Sequence, residues 1–511
     1  MTVVETRSGR VQGTKAEGIE VFRGIPYARA PVGPLRFRPP LAPEAWGGIK
    51  DATRPGPAAP QNASMVGALL GLPATELSED CLSLNVWTPA AGEGGRRPVL
   101  VWIHGGGFVF GSGSQAPYDG ARLSSLGDVV VVTLNYRLGA LGFLALPAFA
   151  EEEGGVCGNF GLLDQIAALE WVRDHAALFG GDPNQVTVFG ESAGGMSVGT
   201  LLGTPAARGL FQRAIAQSGA AHNVSTPEQG ERVAYAFMKE LGLSISDVEA
   251  LRAVPVSAIT DAQQHIFGDL LGSVGSLPFQ PVVDGRVLLR QPLEAVAEGE
   301  AAGVPLLIGT NRDEWKLFAL ADAKLRSLDE ARLLRRLERA VPGRDAKGRP
   351  HAERAVEIYR RAQGLGPEAT PIALWNAIQG DRVFGVPAAR LAEAQSPNAP
   401  GVYSYLFTWE SPVLGGALGA CHGLDVPFVF GTATLPGLRA FVGEGPEVAQ
   451  LCARMQGAWI SFAWGGTPAH ETLPDWPRYD PALRPTLLLG SECSLVKAPG
   501  DEALEFWDGL L

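Results

Sequence analysis

The residues with the clearest chemical potential are those of "FGESAGG", 189–195, where a serine lies between two glycines. The preceding run Val186-Thr187-Val188-Phe189 reads as a buried strand, and Gly194-Gly195-Met196-Ser197-Val198 reads as the start of a helix. Ser192 is then expected on a tight strand-to-helix turn that lifts its side chain out of the sheet. Glycine at 190 and 194 would let the backbone pass without collision. A serine so placed is a candidate nucleophile, but it needs a base to take its proton and a third group to hold that base.

Seven histidines are available, and His422 in "CHGLDVPFVFG" is the candidate base because it follows the last strong strand in a long loop. His175, His222, His265, His351 and His470 have no comparable setting and are read as surface or helix-end residues. The acid is sought at a strand end between Ser192 and His422, and "LLIGTNRDEW" supplies Asp313 and Glu314, both suitable by type. In "HGGGF" the glycines Gly105, Gly106 and Gly107 follow a strand, so their amides, with that of Ala193, can face a developing oxyanion. Each such donor is worth about 3–4 kcal/mol on precedent. His104 reads as an anchor of that loop. Glu191, beside the serine, either tunes the field of the site or is a plain hydrogen-bonded buried carboxylate.

These groups must be positioned by a sheet. "RRPVLVWI" and "GDVVVVTLNY" contain continuous β-branched runs, the pattern of strands buried on both faces, as in a parallel α/β arrangement. Leu162, Ile166, Leu169 and Val172 fall on one face of a helix that Gly180, Gly181 and Pro183 should stop. "RAIAQSGA", "VPLLIGT" (304–310) and "GVYSYLFTW" (401–409) are further strands, and the first fifty residues read as short strands and turns. The stretches from about 223 to 300 and 320 to 395 are richer in charged helix formers and are expected to be lid-like insertions over one end of the sheet. With no repeat and no low-complexity linker, 1–511 is read as one catalytic domain.

Bulk composition removes other classes. A net charge of −12 without a basic block disfavours nucleic-acid partners. No apolar run near the length of a membrane span occurs, and the first residues carry no secretory pattern, so no membrane association is expected. Five scattered cysteines with no Cys-x-x-Cys pair offer no metal-ligand spacing and suggest reduced thiols in a cytoplasm. No cofactor or metal is called for by the proposed chemistry.

"FRGIPYARAPVGPLRF", "SEDCLSLNVWTP", "VWIHGGGF", "NYRLGALGF", "FGGDPNQVTVFGESAGG", "PVVDG" and "HGLDVPFVFG", in that order, resemble the type-B carboxylesterases, which include bacterial para-nitrobenzyl esterases and the cholinesterases. The resemblance covers nearly the whole chain. It implies an α/β-hydrolase fold, a central mostly parallel twisted sheet flanked by helices with helical lid-like insertions. It implies a Ser192–Glu314–His422 triad, an oxyanion hole of Gly106, Gly107 and Ala193, and small-molecule esters as substrates. Two departures stand out. Trp315 follows Glu314 where the family has a small residue, which leaves Asp313 in play as the acid. Cys81 has no upstream cysteine, so the disulfide loop of secreted relatives cannot form, and "NASMVGALLGLPATEL" lacks the tryptophan that would bind a quaternary ammonium. "GSVGSLPF" (272–279) resembles the family's acyl-pocket segment, which implies short to medium acyl chains. An amidase or carbamate hydrolase using the same triad, and a non-catalytic binding protein, are the alternative readings.

Overall fold

The computed structural model describes residues 1–63, 75–92, 94–152, 154–270, 277–361, 365–497 and 501–511. Its frame is a sheet of thirteen strands. In chain order these are β1 (Thr2–Thr6), β2 (Gly9–Ala16), β3 (Ile19–Pro26), β4 (Ile49–Asp51), β5 (Ser83–Thr88), β6 (Arg97–Ile103) and β7 (Val130–Leu134). They continue as β8 (Gly181–Glu191), β9 (Arg213–Gln217), β10 (Leu306–Asn311), β11 (Val402–Phe407), β12 (Thr486–Leu489) and β13 (Ser494–Val496). The spatial order is β1-β2-β3-β5-β7-β6-β8-β9-β10-β11-β12-β13, with β4 beside β2. From β7 to β12 every pairing is parallel, while β1, β2, β3, β5 and β13 join antiparallel at the two ends.

The continuous apolar runs of the central strands serve two cores at once, because successive side chains point to opposite faces. On β6, Val99, Val101 and Ile103 join one buried cluster, and Leu100 and Trp102 join the other. On β8, Val188 and Phe189 divide in the same way. The expected helix runs from Phe160 to His175, where a 3-10 turn carries the chain to Gly180 in the left-handed region, and β8 begins at once at Gly181. The strand therefore starts before Pro183, so Gly181 and Pro183 belong to β8 as well as stopping the helix. β12 and β13 had no place in the sequence reading. They are short, and "RPTLLLGSECSLV" offers only a three-residue apolar run.

The stretch 320–395 folds as helices, among them Glu330–Ala340, His351–Arg361, Pro371–Gly380 and Val386–Gln395. Between the last two lies a π-helical turn, Asp381–Gly385. These helices share a third, smaller core with the helix Asp501–Phe506 and Trp507, including Leu333, Leu337, Tyr359, Leu374 and Trp507. Trp507 Nε1 donates to Tyr359 Oη (3.0 Å), which donates to Asp381 Oδ2 (2.7 Å). Residues 223–300 contribute the helices Pro227–Glu240, Val248–Ala253, Val256–Leu270 and Pro292–Ala297. Most of "NASMVGALLGLPATEL", and 272–276 of the acyl-pocket segment, lie outside the described residues. Among the described residues no helix is long and apolar enough to cross a membrane.

Candidate active site

Strand β8 ends at Glu191, and the helix Ala193–Leu202 starts two residues later. Ser192, between them, has φ 57° and ψ −125°, a conformation that costs a non-glycine residue about 1–3 kcal/mol. Its neighbours hold it there. The Ser192 N–H donates to Gln217 O (2.9 Å), and the Met196 N–H donates to Ser192 O (2.8 Å). Glycine is required on both sides by proximity: a Cβ on Gly190 would lie 2.5 Å from the Gly194 carbonyl carbon, and one on Gly194 would overlap the Ile103 carbonyl.

The loop after β6 lies against this turn, since a Cβ on Gly105 would come 3.0 Å from Ser192 Cβ. His104 anchors it: the ring stacks on Tyr136 at 4.6 Å, Nδ1 meets Gly105 O at 2.8 Å, and Tyr136 Oη donates to His104 O at 3.0 Å. Burial pushes the His104 pKa down to about 4, so the ring is neutral. Gly106 and Gly107 have φ 111° and 58°. Among the described residues the amides of Gly106, Gly107 and Ala193 donate to no carbonyl or side chain.

His422 comes from the loop after β11, and its Nδ1 is 2.6 Å from Glu314 Oε2. The other Glu314 oxygen accepts from Ser218 Oγ (2.5 Å) and from the Asn311 N–H (2.7 Å). Asp313 points elsewhere. Its carboxylate takes the Ala420 N–H (2.9 Å) and pairs with Arg312 (2.8 Å) and Lys316 (2.9 Å). Burial raises the Asp313 pKa, but Lys316, Arg312 and the Ala420 amide together bring it below the ordinary value. Asp313 thus ties down the loop that carries His422.

The imidazole sits between two carboxylates. Its Nε2 is 3.2 Å from Glu191 Oε1, yet neither atom makes a hydrogen bond. Burial alone would lower the His422 pKa; the charges of Glu191 and Glu314 outweigh it and raise it to about 9. Burial dominates at Glu191 and raises it to about 8, against the pull of His422. Glu191 is therefore not a plain hydrogen-bonded carboxylate at that oxygen. A third acid, Asp425, is fully buried, accepts from Gln217 Nε2 (2.7 Å) and from Asn311 Nδ2 (3.3 Å), and is raised by burial. Ser218, Asn311, Gln217 and Asp425 had not been singled out in the sequence. For Gln217, Ser218 and Asn311 the one local signal is a polar residue at the end of an apolar strand, as in "AIAQS" and "LIGTN"; Asp425 has none.

These groups open into a cavity of about 370 Å³, lined mainly by apolar side chains. Trp315, Phe318, Val383, Phe384 and Leu277 form part of its wall. Trp315 does not displace Glu314. The indole packs on Phe318 at 5.0 Å, and Phe318 and Phe384 flank the His422 ring at 5.0 and 4.7 Å. Among the other histidines, His265, His351 and His470 are paired near the surface or at helix ends. His175 ends its helix but is buried, stacked on Trp171 at 4.6 Å. His222 is not a surface residue: its Nδ1 is buried without a partner, and burial lowers its pKa to about 4. Local sequence gives no hint of either, because Arg7, which donates to His175, and Arg382, whose charge reaches His222, are remote in sequence.

The family model described as the carboxylesterase family matches residues 1–507. The chain is 42% identical to the para-nitrobenzyl esterase of Bacillus subtilis (strain 168) over 508 residues, covering 98% of this chain and 97% of that protein. It is 36% identical to the phenmedipham hydrolase of Pseudarthrobacter oxydans over 96% of this chain and 95% of the relative. Among solved structures, the carboxylesterase of Geobacillus stearothermophilus at pH 6.2 superposes with a TM-score of 0.88 at 41% identity, covering 99% of this chain and 100% of that one.

Proposed function

This chain belongs to the carboxylesterase family and has its α/β-hydrolase fold, and from that premise we propose how it hydrolyses carboxylic esters. In this reading Ser192 Oγ attacks the ester carbonyl, and His422 Nε2 takes the serine proton and returns it to the leaving alcohol. Glu314 fixes the imidazole tautomer and stabilises the imidazolium. The amides of Gly106, Gly107 and Ala193 hold the tetrahedral oxygen, and water then releases the acyl group from Ser192.

The observation that carries this is the 2.6 Å contact of His422 Nδ1 with Glu314 beside a strained serine and three amides unpaired among the described residues. No metal or cofactor enters the scheme. The cavity of about 370 Å³, closed by aromatic rings, suits esters of short to medium acyl chain. We read the whole chain as one catalytic unit whose helices at 223–300 and 320–395 cover the site, since Phe267, Leu277, Val383 and Phe384 all line it. Five unpaired thiols support a reducing compartment such as the cytoplasm.

The test is Ser192→Ala with organophosphate labelling. The variant should lose roughly 10⁴-fold or more of kcat with a native-like melt, as nucleophile deletions do. The wild type should be labelled at Ser192. Labelling at another serine with Ser192→Ala still active would overturn the assignment.

A further inference from the structure

The helix Pro371–Gly380 and the π-helical turn after it present a polar stripe beside the catalytic cavity. Helical spacing places Asn376, Gln379, Gly380 and Val383 on one side. Val383 lines the cavity, and Gly380 backs onto Glu314, where an added Cβ would lie 3.8 Å from Glu314 Cβ. The stripe therefore passes behind one wall of the site. Turns of π geometry are rare and concentrate at functional places.

On this stripe sits a guanidinium without a counter-charge. Arg382 is in no ion pair among the described residues, its Nε is buried without a partner, and its Nη1 reaches only Gln379 Oε1, at 3.3 Å. The adjacent carboxylate, Asp381, is turned away toward Tyr359. Burial depresses the Arg382 pKa, and no acid among the described residues offsets it. Gln379 is 2% exposed, yet its Nε2 has no partner among the described residues. His222 stands close enough that the Arg382 charge adds to burial in holding its ring neutral, and its Nδ1 is also unpaired. Asn223 and Asn376, on the same segments, each leave an amide oxygen open, and such amides can present either face.

A desolvated cation normally finds a buried anion, because an unpaired charge out of water is expensive. A guanidinium beside an open amide donor and a neutral imidazole is an arrangement that a carboxylate completes with charge-assisted hydrogen bonds. Glu191, Glu314 and Asp425 make the catalytic end acidic, so an anion would have to sit at the far end of a bound substrate. We propose that Arg382, with His222 and Gln379, forms a subsite for a carboxylate carried at the end of the acyl chain, making half-esters of dicarboxylic acids a substrate class of this site. The proposal rests on the esterase reading above.

The experiment compares kcat/KM for p-nitrophenyl hydrogen glutarate and p-nitrophenyl butyrate at fixed ionic strength, in the wild type and in Arg382→Met. The ratio of half-ester to neutral ester should fall roughly ten- to a hundredfold in the variant, the usual loss for a charged hydrogen bond, and should appear mainly in KM for the half-ester. Arg382→Lys should recover part of it. Gln379→Leu should lower the ratio less, and it stands in if Arg382→Met does not fold. An unchanged ratio in Arg382→Met, or in Gln379→Leu where that variant stands in, overturns the proposal. So does free glutarate altering butyrate hydrolysis through Arg382 while the ratio stays fixed, since the pocket would then serve a free anion. A wild type inert on butyrate would instead refute the esterase reading.

Discussion

The nucleophile half of the site, Gly105 to Gly107 with Gly190 and Ser192 to Gly194, is positioned by backbone packed on backbone, whereas the acid–histidine half is positioned by side chains from around four strand ends. In the first half, the carbonyls of Ile103 and Phe110 occupy the space where side chains on Gly194 and Gly106 would go. In the second, Glu191 ends β8, Gln217 ends β9 with Ser218 next to it, Asn311 ends β10 with Glu314 in the turn beyond, and His422 and Asp425 follow β11. A backbone-built site tolerates almost no substitution but can be written in a few adjacent residues. A side-chain-built site is adjustable, and its parts are far apart in sequence.

After loss of the nucleophile itself, the largest effect should come from breaking the second half. Glu314→Gln leaves the serine and loop amides in place and removes the carboxylate that orients His422, so kcat should fall about 10³–10⁴-fold, in line with the handling of triad acids elsewhere. Asp313→Asn should cost about tenfold or less in kcat. Its main effect should be a lower Tm, because Asp313 ties the Ala420 amide to the β10 turn. If Asp313→Asn proves the crippled variant and Glu314→Gln keeps most of its kcat, the acid is Asp313.

An intermediate effect is expected in the first half. Gly106→Ala puts a Cβ into the Phe110 carbonyl at a φ of 111°, so the loop must shift and the amides of Gly106 and Gly107 move from their places. A loss of about 10²–10³-fold in kcat would match the removal of one oxyanion donor. Near-normal kcat with a native melt would show that the loop is more compliant than the packing implies.

The smallest effect is a displacement in pH. His422 acts as a base only when neutral, and the carboxylates around it raise its pKa to about 9. Hydrolysis of a neutral ester, read as kcat/KM, should therefore climb with pH through an apparent pKa above the ordinary imidazole value. Glu191→Gln removes one carboxylate that stabilises the imidazolium, so the limb should move to lower pH. A limb that stays put would show that Glu191 and His422 are not coupled.

The same contrast explains what could be read in advance. "FGESAGG" and "HGGGF" each state a local geometry, because only glycine fits those approaches. Strands β6 to β11 were visible because burial on both faces leaves continuous apolar runs, whereas β12 and β13 are too short to leave one. Glu314 and Asp313 could not be separated by residue type. Which of two adjacent side chains faces the imidazole is decided by Ala420, Ser218 and Asn311, and those contacts span up to about a hundred residues of chain. The aromatic wall of Trp315, Phe318 and Phe384 was equally hidden, since nothing in the chain's order announces that helices near 315 and 384 meet over His422.

The contact of Trp507 with Tyr359, and of Tyr359 with Asp381, also ties the cavity wall to a core remote from the serine turn. The serine turn rests on β6 to β9, drawn from one stretch between Arg97 and Gln217. The π-helical turn that begins at Asp381 leans instead, through Tyr359, on Trp507, 148 residues further along the chain than that tyrosine. Emptying the Trp507 site should therefore loosen Val383 and Phe384 in the wall while the frame of the nucleophile stands.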